Sequence, residues 1–145
     1  MIVAPTRHGQ CRLTDVDLWA LTMEVLGNHG ARGTFFMVGK RVERNPELVQ
    51  RIADAGHAVC NHSWSHVSLP TVSGKERRAE IRACAQALGK YGQHMLRPPY
   101  GHQSVASRLD AFWLGYTVVV WNQHVRDWSE ISAENMIEWL NKELR

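Results

Sequence analysis

Apolar positions along this chain switch repeatedly between two spacings. Short runs of consecutive apolar, β-prone residues alternate with longer stretches in which apolar residues return every three or four positions. From Gly33 onward the alternation is regular and predicts consecutive βα units. The run GTFFMVG (33–39), bounded by glycines, reads as a strand buried on both faces. Asn45 followed by Pro46 predicts a helix start, with Leu48, Val49, Ile52 and Ala53 as its apolar stripe and Gly56 past its end. HAVCNH (57–62) reads as the next strand. A helix capped by Ser73 follows, with Ile81, Cys84 and Leu88 on its inner face, closing near Gly89 and Gly92. MLRPPYG (95–101) can run as a strand only to Arg97, because prolines cannot donate to a sheet ladder. A short helix is predicted around 105–114, and YTVVVWN (116–122) is the clearest strand of all. A last helix after Ser132 places Met136, Ile137, Leu140 and Leu144 on one side. Upstream, residues 14–27 predict a helix with Leu18, Leu21 and Val25 as its apolar face, and the opening MIVAPTRHGQCRL fits neither spacing.

Each chemically suggestive stretch falls just after a predicted strand: 62–66, 97–101 and 122–128. Parallel α/β sheets bind ligands at that carboxyl end, so the three loops are expected to converge. In NHSWSH (61–66), His62 and His66 share one face if the segment turns helically, and both imidazoles can then reach one zinc-like ion. The same pair also reads as two solvated histidines in a loop, and spacing alone leaves both open. In LRPPYG, two prolines fix the backbone and leave the N–H groups of Tyr100 and Gly101 as candidate oxyanion donors. Arg97 is a fixed cation able to orient a carboxylate, or else a surface arginine beside a structural turn. Asp127, in WNQHVRDW, can pair with Arg97 or remain solvated. Cys60 alternates with His62 along one strand, so a small zinc-stabilised module of Cys60, His62 and His66 is a further reading.

Composition narrows the classes. With 145 residues and 44% hydrophobic content, a single globular domain spanning 1–145 with its own core is expected. Lys and Arg number 17 against 14 Asp and Glu, mixed along the chain, which argues against a nucleic-acid partner. The longest apolar run, 118–121, is far shorter than a membrane span, and no signal peptide opens the chain, so no membrane association is expected and localisation stays open. Cys11, Cys60 and Cys84 lack the paired spacing of a disulfide framework. Of the six tryptophans, Trp19, Trp113 and Trp139 fall in predicted helices and are assigned to packing.

Taken together, GTFFMVG, GHAVCNHSWSH, LRPPYG and VVVWNQHVRDW resemble, in order and interval, the polysaccharide deacetylases of the NodB homology class, carbohydrate esterase family four. The resemblance implies an α/β fold, a distorted (β/α) barrel that is incomplete here. It implies hydrolysis of N-acetyl, sometimes O-acetyl, groups on an N-acetylated glycan such as chitin oligomers or peptidoglycan. It also implies a divalent metal, usually zinc, held by one Asp and two His, which His62 and His66 match. Tyr100 matches the residue whose amide stabilises the oxyanion, Arg97 the arginine that orients the catalytic base, and Asp127 the acid that holds that arginine. The family's TFDDG-like acidic pair has no counterpart: PTRHG (5–9) puts Arg7 at the base position and His8 at the third-ligand position. Arginine cannot accept a proton near neutral pH, whereas His8 would complete a three-histidine site. Asp15 and Asp17 read instead as first-turn acids of a helix. The late histidine that serves as general acid is also missing. The chain is therefore expected to be truncated at both ends relative to the family, and a barrel lacking its last strand would expose a sheet edge open to self-association. Two outcomes remain: a deacetylase with impaired activity, or a glycan-binding relative or fragment that keeps the cleft without the chemistry.

Overall fold

A computed structural model describes residues 2–3, 15–121 and 135. Residues 2–3 and 15–120 belong to one compact unit, whose architecture follows. Ten elements alternate along it: β1 (Ile2–Val3), α1 (Asp15–Asn28), β2 (Thr34–Met37), α2 (Gly39–Arg44), α3 (Pro46–Asp54), β3 (Ala58–Asn61), α4 (Gly74–Leu88), β4 (Gly92–Leu96), α5 (Val105–Trp113) and β5 (Thr117–Val118). The strands form one sheet in chain order, every neighbouring pair parallel. Sequential parallel strands joined by helical crossovers are the arrangement of a (β/α) barrel wall. No helix among the described residues is long and apolar enough to cross a membrane.

The alternating faces of β2 and β3 explain why FFMV (35–38) is apolar throughout. Phe35, Met37 and Val59 pack with Trp19, Val42, Leu48, Val49, Ile52, Cys84 and Leu88 from the helices. Phe36 and Cys60 point the other way by strand alternation, and both are fully buried. Each strand therefore loses apolar surface to water on both sides, worth about 2 kcal/mol for each large side chain. Further along the sheet, Leu69, Ile81, Leu96 and Ala111 form a second cluster.

Local signals account for most boundaries. Ser73 caps α4 in a reciprocal box with Glu76: the Ser73 hydroxyl accepts from the Glu76 N–H while the Glu76 carboxylate accepts from the Ser73 N–H. Gly89, at φ 55°, ends the helix where an L side chain would be strained. Pro46 opens α3, as Asn45-Pro46 predicts.

Five expectations are corrected. Strand β4 starts at Gly92, where the preceding helix was expected to close, rather than at Met95, because backbone pairing of Gly92 and Gln93 with Val59 and Cys60 extends it although Gln93 and His94 are exposed. Helix α1 forms, but Leu21 and Val25 are exposed; the buried stripe is Trp19, flanked by Met23 and Leu26, because tertiary contact with Phe35 sets which side turns inward. Helix α2 was not anticipated: it starts directly at Gly39 with no side-chain cap. Strand β5 covers only Thr117–Val118, with Thr117 exposed and Val118 half-buried, since it pairs along one edge with β4 rather than lying in the middle of the sheet. Trp113 is 79% exposed instead of packed. The helix predicted after Ser132 lies, apart from Asn135, outside the described residues.

Loop 66–73 is tied to the helices by charge. Arg77, 6% exposed, donates to the Leu69 and Val72 carbonyls and pairs with Asp110 of α5 at 2.6 Å, while Arg78 reaches the other Asp110 oxygen at 2.7 Å. Burial alone would raise the Asp110 pKa; hydrogen bonds from Arg78 and Arg77 outweigh it and hold the carboxyl below its usual range. Asp110→Ala leaves the buried Arg77 charge unmatched and should cost about 3 kcal/mol in chemical denaturation at pH 7. Because the folded pKa is depressed, the wild-type advantage is present above the unfolded carboxyl pKa and should shrink as pH falls through the folded one.

Candidate functional site

Residues 61–66 leave the carboxyl end of β3 and fold into a tight loop whose amides are taken almost entirely by side chains. The Ser63 N–H donates to Asn61 Oδ1, the Trp64 and Ser65 N–H groups donate to Glu80 Oε2 at 3.0 and 2.8 Å, and the His66 N–H donates to Ser63 Oγ. On the acceptor side, the Ser63 and Trp64 carbonyls receive the N–H groups of Gly39 and Lys40, at the start of α2. Gly39 is required there, since a Cβ would meet the Trp64 ring at 2.4 Å. Asn61 itself is fully buried and donates through Nδ2 to the Ile81 carbonyl of α4.

This scaffold brings the two histidines together. Their ring centroids lie 4.9 Å apart at 69°. His62 is 2% exposed, and its Nδ1 lies 2.8 Å from the Arg97 carbonyl oxygen. A carbonyl can only accept, so Nδ1 carries the proton and Nε2 keeps its lone pair, the tautomer a metal-binding histidine needs. His66 is half-buried and packs edge-on against the Tyr100 ring at 4.7 Å. His62 is therefore an interior histidine rather than a solvated one, with His66 partly shielded beside it. Two neutral imidazoles this close can share one divalent cation. Among the described residues, no third His, Cys, Asp or Glu joins them. Cys60 is not part of the group; buried, its thiol is pushed up to about 11, as a neutral core side chain.

The proline corner meets this loop from β4. The Arg97 N–H donates to the Asn61 carbonyl, which fixes the two strand ends side by side. Arg97 is 1% exposed, with its guanidinium 4.1 Å above the Phe36 ring, so it is an interior cation rather than a surface arginine. Of the two amides singled out as oxyanion donors, Gly101 is spent on the Pro98 carbonyl, which closes the turn. Tyr100 N–H makes no hydrogen bond within the described residues. Ser63, His66 and Tyr100 have φ of 61°, 63° and 60°, the non-glycine residues in the left-handed region among those described, and all three belong to this site. Such backbone strain, about 1–3 kcal/mol for each residue, persists only where surrounding contacts over-determine it.

His8 and Asp127 lie outside the described residues, as does Arg7; Asp15 and Asp17 fall in the first turn of α1. Asn61, Gly39 and Glu80 escaped the sequence reading. Asn61 stood inside the quoted hexapeptide without a role, and Glu80 sits one position from the apolar stripe of α4, with nothing local to reveal a partner fifteen residues upstream.

Burial lowers the His62 pKa from 6.5 to about 4; the hydrogen bond to the Arg97 carbonyl opposes this, and the charges of His66, Arg97 and Arg41 add to it. His66 is lowered too, by burial and then by Arg41. Between about 4 and 6.5 the unfolded chain therefore binds a proton that folded His62 refuses. The His62 contribution to the stability of the metal-free protein should fall as pH drops through that window and level off below it. His62→Gln, which keeps a donor for the Arg97 carbonyl, should flatten the slope in denaturation measured from pH 7 to 4.

Residues 14–119 match the polysaccharide deacetylase family. A peptidoglycan-N-acetylglucosamine deacetylase of Bacillus cereus is 30% identical over 125 residues, covering 84% of this chain and 46% of that protein. Chitin deacetylase 2 of Saccharomyces cerevisiae is 32% identical over 121 residues, covering 81% and 39%. The chain thus spans less than half the length of these curated relatives. Among solved structures, a family 4 carbohydrate esterase from Streptomyces lividans in complex with acetate superimposes with a TM-score of 0.76 at 30% identity, over 80% of this chain and 62% of that one. With sequential parallel strands, a histidine loop at a strand's carboxyl end and relatives at this level of identity, the chain belongs to the polysaccharide deacetylase family, with its α/β, (β/α) barrel-type fold.

Proposed function

We propose that the chain takes part in metal-dependent removal of acetyl groups from an N-acetylated glycan of the chitin or peptidoglycan kind. The observation that carries this is the His62–His66 pair: neutral rings 4.9 Å apart, one locked by a carbonyl into the tautomer that presents Nε2. In this reading His62 and His66 hold a divalent cation, zinc by ligand type. When bound, such an ion supplies Lewis-acid polarisation of the acetyl carbonyl and of water.

The protein groups have separate tasks. The Tyr100 N–H donates to the oxygen on which negative charge develops, held in place by the strained turn after two prolines. Arg97, anchored over Phe36, orients an acidic partner, with Asp127 as the residue that holds the guanidinium. The exposed Tyr100 ring, braced edge-on by His66, offers a face on which a sugar ring can stack. If PTRHG is set in register with the family's acidic motif, His8 becomes the third-ligand candidate and Arg7 takes the base position. That last feature favours a second reading, a glycan-binding relative without turnover, because loss of a general base or acid each costs about 10²–10⁴-fold.

Zinc analysis of the purified chain, combined with acetate release from N-acetylglucosamine oligomers, separates the two readings. Zinc with release supports the enzyme; zinc and glycan binding without release supports the second reading. His62→Ala and His66→Ala should each lose stoichiometric zinc binding. Retention of one equivalent in both variants would remove the site.

A further inference from the structure

Among the described residues, Glu80 is the one carboxylate that engages the histidine loop, and it does so from another element. It projects from the second turn of α4. One oxygen accepts two consecutive backbone amides, Trp64 and Ser65, and the other accepts the Ser65 hydroxyl at 2.7 Å. Its helix neighbour Ile81 receives Asn61 Nδ2 through its carbonyl, so two adjacent α4 residues grip the loop at its start and its middle. Backbone amides have to be satisfied somewhere, and here no local turn offers an alternative to the carboxylate. The span between the two histidines is the part so held, and at its end His66 sits at φ 63°.

We propose that Glu80 is a positioning residue for the imidazole pair: it fixes the loop backbone so that His66 faces His62, without touching the bound ion. The role rests on the metal-binding reading above and deepens it. Glu80 lines an open groove of about 300 Å³ with Trp64, Val67 and Val72, so water can enter when its carboxylate is removed. Water would satisfy the amides without fixing their direction. The loop would then relax the left-handed strain at His66, and the two rings would separate.

Reach and charge can be told apart with three variants. Glu80→Gln keeps an oxygen for both amides and can donate to the Ser65 hydroxyl, whereas Glu80→Asp keeps the charge but is one methylene too short, and Glu80→Ala loses both. Zinc affinity, measured by chelator competition, should stay within about threefold of wild type in Glu80→Gln and fall about 10–100-fold in Glu80→Asp and Glu80→Ala, the range found when groups that orient metal ligands are removed. Amide hydrogen exchange of the metal-free proteins should speed up at Trp64 and Ser65 in Glu80→Asp and Glu80→Ala, while amides in the middle of α3 stay protected. If Glu80→Gln loses affinity and Glu80→Asp keeps it, charge rather than position is at work and the proposal is overturned. Unchanged exchange at Trp64 and Ser65 in Glu80→Asp also overturns it. Should the wild-type chain bind no zinc, the metal reading fails by itself, and the exchange data still decide whether Glu80 fixes the loop.

Discussion

The site depends on how a loop without a ladder of its own satisfies its backbone. Four consecutive amides, from Ser63 to His66, donate to side-chain oxygens, and the carbonyls of Ser63 and Trp64 accept from the first amides of α2. Each bond is modest alone, about 1 kcal/mol net and more to a charged carboxylate. Leaving any of them unmade in a partly buried loop would cost more than the bond contributes, so the loop has one well-satisfied arrangement. That arrangement holds Ser63 and His66 in the left-handed region, where neither would settle unaided.

The rest of the fold serves this constraint. Two parallel strands end side by side because Arg97 N–H meets the Asn61 carbonyl, and the Arg97 carbonyl then faces His62 Nδ1. A single residue thereby joins the two strand ends, fixes the imidazole tautomer and carries an interior guanidinium. Burial completes the arrangement by keeping His62 neutral down to about pH 4, so its lone pair is available throughout the ordinary range. Gly39 is where packing permits all this: any larger residue would push the Trp64 ring off α2.

The tie of Arg77 and Arg78 to Asp110 has a different purpose. It braces the segment leaving His66 against α4 and α5, and the Leu69–Ala111 cluster packs beneath it. Thus α4 touches the loop at Glu80 and Ile81 and its continuation at Arg77. One amphipathic helix, capped by the Ser73–Glu76 box, serves as the common support.

Much of this was legible from local rules. Apolar runs located β2 and β3 but only the end of β4, Asn45-Pro46 and Ser73 located the starts of α3 and α4, and the histidine and Pro-Pro segments located the candidate site, because each is governed by spacing, backbone geometry or capping within a few residues. The inward side of α1, the brevity of β5 and the exposure of Trp113 were not, since burial there depends on which neighbours the sheet supplies. Whether His62 and His66 were solvated or paired could not be decided by an i, i+4 interval. Contacts between residues 61 and 97, 39 and 64, and 64 and 80 decided it: hydrogen bonds of long sequence separation leave no mark on periodicity. The sequence by itself determined the βα alternation from β2 onward, though not β1 or α2, and where candidate chemistry would gather; only the tertiary structure, through those distant bonds, determined how the gathered residues face one another.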